Sequence, residues 1–327
     1  MSSLFEPFKD NWTTFTKLDS KHILQVDFTP ILPNHFFEEL KFDKDSLREY
    51  RINAARLAAE QLGDKPVLCL SGGADSQAMV QCWLDAGLVF DTAILVFDND
   101  LNSHDVEHAR KFCSHKNITP IEININVVQY LIRDHFEQAV KYRCTSPHFS
   151  THYKMFDILR DLGYTGICCG GQAFAKNDTA WGPALSAAQL NYLEYSRINE
   201  YPVIGNFLGY DPKLCWSIAI LTPSNKFKWS VSAIESLDDA TDSRYIAKVQ
   251  GYINHGFDII PQKTKFTGFE KVKEYFAEQS KDGWEFEKKF RHPLEKRFGS
   301  APAGNLILPA SQLDILARLH SKHCISS

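Results

Sequence analysis

From Pro66 onward, short apolar runs alternate with longer amphipathic stretches. The runs predict buried strands, whereas the stretches repeat apolar residues at helical spacing. Strands that alternate with helices predict an α/β fold: a doubly wound parallel sheet with helices on both faces. The predicted strands cover 67–70, 92–97, 121–127 and 166–169, and the predicted helices between them cover 75–86, 103–115 and 152–162.

Two further regions flank this pattern. The first 45 residues are rich in phenylalanine and proline, with one predicted strand at 22–28, and we expect an extension that packs on the main body. A helix is then predicted from the capping-box pair Ser46 and Glu49 to Gly63. Beyond Pro183 the apolar spacing is helical. The predicted units are therefore an N-terminal extension (1–45), a nucleotide-binding domain (46–182) and a mainly helical C-terminal substrate or lid region (183–327).

Composition narrows the classes of function. The hydrophobic fraction of 44% and the charged fraction of 23% are typical of globular enzymes. A net charge of -4 provides no broad basic field, so a small-molecule substrate is expected rather than nucleic acid, although a local basic cleft stays open as an alternative. The sequence contains neither a signal peptide nor an apolar run that would span a bilayer, which predicts a cytoplasmic protein without a membrane partner. Its eight cysteines lack metal-site spacing, so we expect reduced, mostly buried thiols.

The loop Ser71-Gly72-Gly73-Ala74-Asp75-Ser76 joins the first predicted strand to a helix. Its glycines allow the backbone to approach a ligand closely, and the amides at the start of the helix favour an anion. Ser71 and Ser76 add hydroxyl donors, and Asp75 is a candidate ligand for a Mg²⁺ ion that accompanies phosphates. No Gly-Lys-Ser/Thr follows, so the loop differs from a Walker A motif. The sequence therefore predicts a phosphate-binding loop of another kind.

These six residues resemble the S-G-G-x-D-S loop (PP-loop) of the ATP pyrophosphatase superfamily, and the resemblance extends over roughly 66–178. It implies an adenine nucleotide α hydrolase-like, Rossmann-like fold that uses ATP and Mg²⁺. It also implies cleavage between the α and β phosphates, with transfer of AMP to a substrate oxygen, and a homodimer is common in that superfamily. The resemblance assigns ATP binding to Ser71, Gly72, Gly73, Asp75 and Ser76, with the adenine beside Val96 and Phe97.

Later positions resemble the synthetase branch, above all the synthetase domain of asparagine synthetase. Asp178 resembles the acidic residue that holds Mg²⁺ together with Asp75. Lys263 or Lys265, ahead of a predicted helix, resembles the lysine that stabilises departing pyrophosphate. The implied reaction adenylates a small-molecule carboxylate or carbonyl oxygen, which an amine or ammonia then attacks. Ser2 stands where those enzymes have a glutaminase cysteine, so we do not expect this chain to hydrolyse glutamine.

Two other functions remain open. One is tRNA or nucleobase modification of the thiolation or deazaguanine type, or a phosphoadenylylsulfate reductase-like reaction, for which Cys168, Cys169 and Cys324 are candidates. Adjacent cysteines on a strand point to opposite faces, so Cys168 and Cys169 are not expected to serve one site, and buried packing is favoured for both. The other is an adenine-nucleotide-binding module without turnover.

The start of the second predicted helix carries three polar positions of interest. Asn102 is expected to be its N-cap and Asp105 its first-turn acid. His104 and His108 have the i, i+4 spacing of metal ligands, but an exposed helix face is the favoured interpretation of this pair.

Overall fold

A five-stranded, all-parallel sheet lies at the centre of the structure. The structure is a computed structural model that describes residues 13–15, 28–30, 32, 35–171, 175–176, 181–182, 187–223, 243–262, 269–279, 286–298 and 310–323. The strands are β1 (Thr13–Phe15), β2 (Phe28–Pro30), β3 (Pro66–Cys69), β4 (Asp91–Phe97), β5 (Ile121–Ile125), β6 (Gly166–Cys169), β7 (Ala175–Lys176), β8 (Trp181–Gly182) and β9 (Val203–Ile204).

Helices account for most of the remaining described residues. They are α1 (Lys44–Leu62), α2 (Ala74–Asp85), α3 (Ser103–His115), α4 (Val127–Arg133), α5 (His135–Lys141), α6 (Pro147–Asp161), α7 (Ala187–Asn199), α8 (Pro212–Leu221), α9 (Ser243–Asn254), α10 (Phe269–Glu278), α11 (Phe286–Phe290), α12 (His292–Phe298) and α13 (Ala310–His323). In the described ranges, no helix is long and apolar enough to cross a membrane.

The order of the sheet is β5-β4-β3-β6-β9. The chain moves outward from β3 through β4 to β5, and then returns to the other side of β3 with β6 and β9. The direction of winding therefore reverses between β3 and β6, where Cys69 pairs with Cys169. Doubly wound sheets bind their ligands at such a point, outside the carboxyl ends of the strands.

The strands bury both of their faces, as their apolar runs predict. Val67 of β3 and Ile167 of β6 belong to one core cluster, with residues of α4, α6, α7, α10 and α11. Their neighbours Leu68 and Cys168 belong to the other cluster, with residues of α1, α2, α3, α8 and α9. Because alternate residues of a strand point to opposite faces, the sheet is covered by helices on both sides. The predicted α/β class is confirmed.

Two details differ from the sequence-based prediction. The cap of α1 is Asp43, whose carboxylate accepts hydrogen bonds from the backbone N–H of Ser46 at 3.0 Å and from its hydroxyl at 2.8 Å. Ser46 thus lies inside the helix, since an aspartate just before it serves equally well as a cap. The fifth strand of the sheet, β9, comes from the region after residue 183 that was predicted to be mainly helical, and it pairs with β6.

Candidate functional site

A cavity of about 440 Å³ opens at the reversal point of the sheet. It lies where β3, β4 and β6 end, and its size is in the usual range for sites that bind small molecules. Ser71, Gly73, Asp75, Ser76 and Phe97, all predicted from the sequence, line it. Its other residues include Cys69, Leu95, Asn102, Asp105, His148, Phe149, His152, Met155, Cys169, Gly170, Tyr192, Tyr245, Lys248 and Gln262.

The loop after β3 is held by its own serines. The Ser76 hydroxyl donates to the carbonyl oxygen of Gly73 at 2.9 Å and accepts from the backbone N–H of Ser71 at 3.3 Å. The Ser71 and Ser76 hydroxyl oxygens are 3.3 Å apart. These bonds fix the turn, and both serines still line the cavity.

Two glycines of the site are required by close backbone contacts. Gly72 has φ of +78°, and a Cβ atom there would lie 2.8 Å from the Asp105 carbonyl oxygen and 2.9 Å from the Ala109 nitrogen. The loop therefore packs directly on the backbone of α3. At Gly170, which follows β6, a Cβ atom would lie 2.9 Å from the Asp75 carbonyl oxygen. These contacts bring the ends of β3 and β6 together around the start of α2.

The N-terminus of α2 points into this cavity. Its N-cap is Gly73, and within the described part of the chain no side chain caps the helix. The first amides of an uncapped helix lack intrahelical acceptors, and they carry the positive end of the helix dipole. Together with the Ser71 and Ser76 hydroxyls, this end of the helix forms a binding site suited to phosphate.

Asp75, in the first turn of α2, has partners that the sequence did not reveal. Lys248 and Tyr252 of α9 both donate hydrogen bonds to its carboxylate, one to each oxygen. The Lys248 and Asp75 side chains are 17% and 21% exposed, so the pair is largely shielded but still reaches the cavity. Burial first, and then the nearby Asp75 charge, raise the pKa of Tyr252 well above its usual value, so this phenol stays protonated and donates. An ammonium group therefore lies beside the phosphate-binding loop.

A segment after α9, residues 257–262, runs along the outer side of the loop. The buried Gln77 amide donates to the Gly72 carbonyl at 2.8 Å and to the Ile260 carbonyl at 2.9 Å, and its oxygen accepts from the Ile260 N–H at 2.8 Å. His108 also contacts the Ile260 carbonyl, with its Nε2 at 2.9 Å. The predicted exposed face of α3 at His108 is therefore wrong, because this segment covers it. Gln77 ties the loop to the C-terminal part of the chain.

The end of β4 forms another wall. Phe97 lines the cavity, whereas Val96 packs into the core cluster that includes α1 and α2 and is not among the lining residues. Asn102 occupies the N-cap position of α3 as predicted, but its side chain makes no capping hydrogen bond. Its oxygen accepts from the Phe97 N–H at 2.8 Å, and its amide nitrogen donates to the Leu95 carbonyl at 2.8 Å. The Asn102 side chain therefore binds the backbone of β4 and not the free amides at the start of α3.

One wall of the cavity, formed by residues of α6 and α7, is mainly aromatic and uncharged. Burial lowers the pKa of His148 to about 4 and that of His152 to about 3, and the neighbouring Lys273 and His148 charges, respectively, add to the effect. The His152 Nδ1 forms a hydrogen bond with the Tyr192 hydroxyl. Both imidazoles are therefore neutral at pH 7. This wall suits a planar or apolar group of a ligand.

Because His148 and His152 have lowered pKa values, we expect the free energy of unfolding to decrease at acidic pH. Their ordinary pKa is 6.5 and their pKa in the folded state is lower, so between these values the unfolded chain binds protons that the folded chain does not. The contribution of the two imidazoles to the free energy of unfolding is therefore fully present above pH 6.5, and it falls as the pH decreases toward 4, by up to about 1.4 kcal/mol per pH unit for each imidazole.

Urea unfolding between pH 8 and 4 measures the slope of this free energy against pH. His152→Gln should reduce it, and His35→Gln, at an exposed imidazole, is the control; equal slopes for both variants would contradict this assignment.

Cys168 and Cys169, which are adjacent on β6, point to opposite faces of the sheet and differ in exposure. Cys168 is buried in the core, whereas Cys169 is partly exposed and lines the cavity beside Cys69, so buried packing holds for only one of the adjacent pair. A hydrogen bond with Cys169 and burial raise the pKa of Cys69 well above its usual value. In the described residues every cysteine is a free thiol.

The described residues offer few candidate ligands for Mg²⁺. They contain no group of three or more His, Cys, Asp or Glu side chains placed to hold a metal. Both oxygens of Asp75 are hydrogen-bonded, and Asp105 is the other carboxylate that lines the described cavity. A Mg²⁺ ion bound to ATP phosphates needs only one or two protein carboxylates, which these two residues could supply.

Several predicted site residues lie outside the described residues, namely Asp178, Lys263, Lys265 and Cys324. Sequence reasoning also missed Lys248, Gln77 and the alternative role of Asn102. One signal for Lys248 was available. Tyr245, Lys248 and Tyr252 follow the i, i+3, i+7 spacing of one helix face, where a lysine between two aromatic residues is unusual.

Comparison with known proteins finds matches among solved structures. The sequence matches no protein-family model, and no curated protein is found to be related.

An NMN synthetase from Francisella tularensis matches with 13% identity and a TM-score of 0.32, over 86% of this chain and 94% of the other. The U34-tRNA thiolase NcsA from Methanococcus maripaludis matches with 9% identity and a TM-score of 0.35, over 95% and 99%. The NH3-dependent NAD synthetase from Campylobacter jejuni matches with 14% identity and a TM-score of 0.31, over 86% and 95%. Such values do not define a function, which must be inferred from the residues of the cavity.

Proposed function

We propose that this chain is an ATP pyrophosphatase of the PP-loop class, which uses ATP to adenylate a small-molecule substrate. One observation carries the proposal: the uncapped start of α2, the hydroxyls of Ser71 and Ser76, and the Lys248 ammonium all face one cavity. This set of donors and charge suits a polyphosphate. The Lys248 charge offsets that of Asp75 beside the loop, which reduces the repulsion between this carboxylate and the incoming phosphates.

The positions of the loop and of Phe97 define the orientation of ATP in the cavity. The phosphates lie on the loop, and the adenine lies toward the end of β4, where Phe97 lines the cavity. A carboxylate or carbonyl oxygen of the acceptor attacks the α-phosphorus, and the bond from that phosphorus to the bridging oxygen of pyrophosphate breaks. An amine or ammonia then displaces AMP from the activated carbon. Lys248 stabilises the negative charge that develops on the leaving pyrophosphate.

Mg²⁺ enters this scheme with ATP, since it neutralises the phosphates when bound, and Asp75 and Asp105 are the described carboxylates that could hold it. For Asp75 to do so, its hydrogen bonds to Lys248 and Tyr252 must be exchanged. The protein's own contribution lies in the loop amides, the two serines and Lys248, which orient the phosphates. The neutral wall of His148 and His152 lies near the acceptor and excludes water.

The products of ATP test the proposal. The purified chain is incubated with ATP, Mg²⁺ and a panel of carboxylates and cyclic amides, with and without ammonia, and AMP, ADP, pyrophosphate and phosphate are quantified. We expect AMP and pyrophosphate in equal amounts, and we expect Ser76→Ala to weaken ATP binding about tenfold by removing a hydroxyl from the loop. Formation of ADP and phosphate, or ATP binding that Ser76→Ala leaves unchanged, would contradict the proposal.

A second candidate, sulfur transfer, has one observation in its favour: Cys69 and Cys169 lie side by side at the cavity. The raised pKa of Cys69 weakens this candidate, because the thiolate is the nucleophile and a protonated thiol reacts poorly. The variants Cys69→Ser and Cys169→Ser separate the two functions. Sulfur transfer requires a thiol, whereas the proposed adenylation should continue without either one.

A further inference from the structure

We propose that the Asn102 carboxamide holds the place of a nucleobase at the edge of β4, and that bound adenine displaces it. This inference rests on the proposed function, since it takes the base to be part of ATP. It assigns a role in base selectivity to a residue whose sequence position indicates only a helix cap.

The edge of β4 that faces β3 becomes free where the two strands separate. Their last pairing is Cys69 with Ala93, after which the Leu70 N–H donates to the Ala93 carbonyl at 2.8 Å. Alternate residues of a strand direct their backbone groups to the same edge, so the Leu95 carbonyl and the Phe97 N–H lie on this edge as well. On the opposite edge β4 remains paired with β5 as far as Phe97 and Ile125. One donor and one acceptor of the backbone are thus available beside the cavity.

Asn102 satisfies both groups with the two ends of one carboxamide. Its oxygen accepts from Phe97 and its nitrogen donates to Leu95, each at 2.8 Å. Adenine presents the same pair of groups on its Watson–Crick edge, where N1 accepts and the 6-amino group donates. Because a buried backbone group needs a partner, an empty site is stabilised by the carboxamide and an occupied one by the base.

The chain around Asn102 supports such an exchange. The turn before it contains Asn99 and Asp100 with φ of 59° and 56°, left-handed conformations that cost energy in non-glycine residues. This turn brings Asn102 back to the strand. Asn102 also occupies the N-cap position of α3, where its side chain makes no capping hydrogen bond. The end of α3 therefore provides an alternative partner for the same side chain when it leaves the strand.

Nucleotide binding and hydrogen exchange test the proposal together. Dissociation constants for ATP and for purine riboside triphosphate, which lacks the 6-amino group, are measured on wild type, Asn102→Ala and Asn102→Ser. Serine is a strong N-cap whose hydroxyl is closer to its own backbone than the asparagine carboxamide and does not replace both hydrogen bonds to the strand, so it keeps the start of α3 stable if the alanine variant folds poorly. The control is Asn126→Ala, which removes an ordinary cap, the Asn126 oxygen that accepts from the Gln129 N–H at 2.8 Å.

We expect wild type to bind purine riboside triphosphate about tenfold more weakly than ATP, because one hydrogen bond is lost. Both Asn102 variants should bind ATP roughly three- to tenfold more tightly than wild type, because the competing carboxamide is removed. Without nucleotide, the Phe97 amide should exchange faster in both variants, and ATP should restore its protection. Asn126→Ala should change none of these quantities.

Equal affinity of wild type for the two nucleotides would overturn the proposal, and so would a Phe97 amide that ATP fails to protect in the Asn102 variants. Equal weakening of both nucleotides by the two Asn102 variants would show that the residue only holds the loop, and would also overturn it. In all three cases ATP still binds, so the proposed function survives. If ATP binds wild type and Ser76→Ala equally weakly, the proposed function fails, and this inference fails with it.

Discussion

Replacing Lys248 by alanine is expected to reduce pyrophosphate release by about 100-fold or more, because such losses follow the removal of one group that stabilises charge in a transition state. Lys248 is the described lysine that lines the cavity, and it reaches the phosphate-binding loop through Asp75. The negative charge on pyrophosphate increases as its bond to the α-phosphorus breaks. The loss should therefore appear mainly in kcat, with a smaller change in KM for ATP.

The same lysine also joins α9 to α2, so a loss of activity needs a control for docking. Lys116 provides one, because its ammonium binds Asp258 at 2.6 Å and joins the segment after α9 to the end of α3, away from the cavity. Lys116→Ala should leave pyrophosphate release within about twofold of wild type, as expected for a pair at a partly exposed surface. If both alanine variants lost activity equally, Lys248 would act only by docking α9. Rapid-quench measurement of AMP and pyrophosphate separates the chemical step from product release.

Much of the fold could be predicted because its signals are local. The helix predicted at 103–115 and the strand predicted at 166–169 have those bounds in the structure. The helix repeats apolar residues at helical spacing, the strand is a short apolar run, and turn-forming residues lie beside both. Phosphate binding by the loop Ser71 to Ser76 could be predicted in the same way, since the residues suited to it are six consecutive positions between a strand and a helix.

The rest of the site depends on contacts between distant parts of the chain. Lys248 and Asp75 are 173 residues apart, and no local pattern indicates that they meet. Asn102 illustrates the same limit at shorter range. Its propensity for the N-cap position is a local preference, whereas the free edge of β4 exists only because β3 leaves the sheet earlier. Asn102 is at the predicted N-cap position, but tertiary structure decides which partner its side chain has.

These two residues share a physical feature. In both cases a polar side chain occupies a position where a ligand group would bind: the Lys248 ammonium beside the Asp75 carboxylate, and the Asn102 amide along the strand edge. Buried charges and backbone groups are costly when they have no partner, so the protein satisfies them internally. Under the proposed function, binding of Mg²⁺ and ATP would exchange the partners at each position. Affinity therefore depends on the difference between two sets of bonds.

Replacing Gly72 by alanine is expected to reduce the free energy of unfolding by about 2 to 5 kcal/mol, and to weaken ATP binding about 100-fold in the fraction that folds. Two penalties combine there. A Cβ at φ of +78° is strained, and it would also lie 2.8 Å from the Asp105 carbonyl oxygen and 2.9 Å from the Ala109 nitrogen. Both contacts are with backbone atoms, so α3 and the phosphate-binding loop would have to separate.

Gly163→Ala measures the first penalty alone, so the difference between the two variants gives the second. Gly163 has a similar φ of +82°, but a Cβ there would have no neighbour within 4 Å. This control should lose only about 1 to 2 kcal/mol and should retain ATP binding, because its strain is confined to a turn after α6. Urea unfolding gives the stability of each variant, and calorimetric titration with ATP gives the affinity. Equal losses of stability in the two variants would mean that the backbone angle alone determines the effect. If Gly72→Ala left the ATP affinity unchanged, the packing of this loop on α3 would not be required for binding the phosphates.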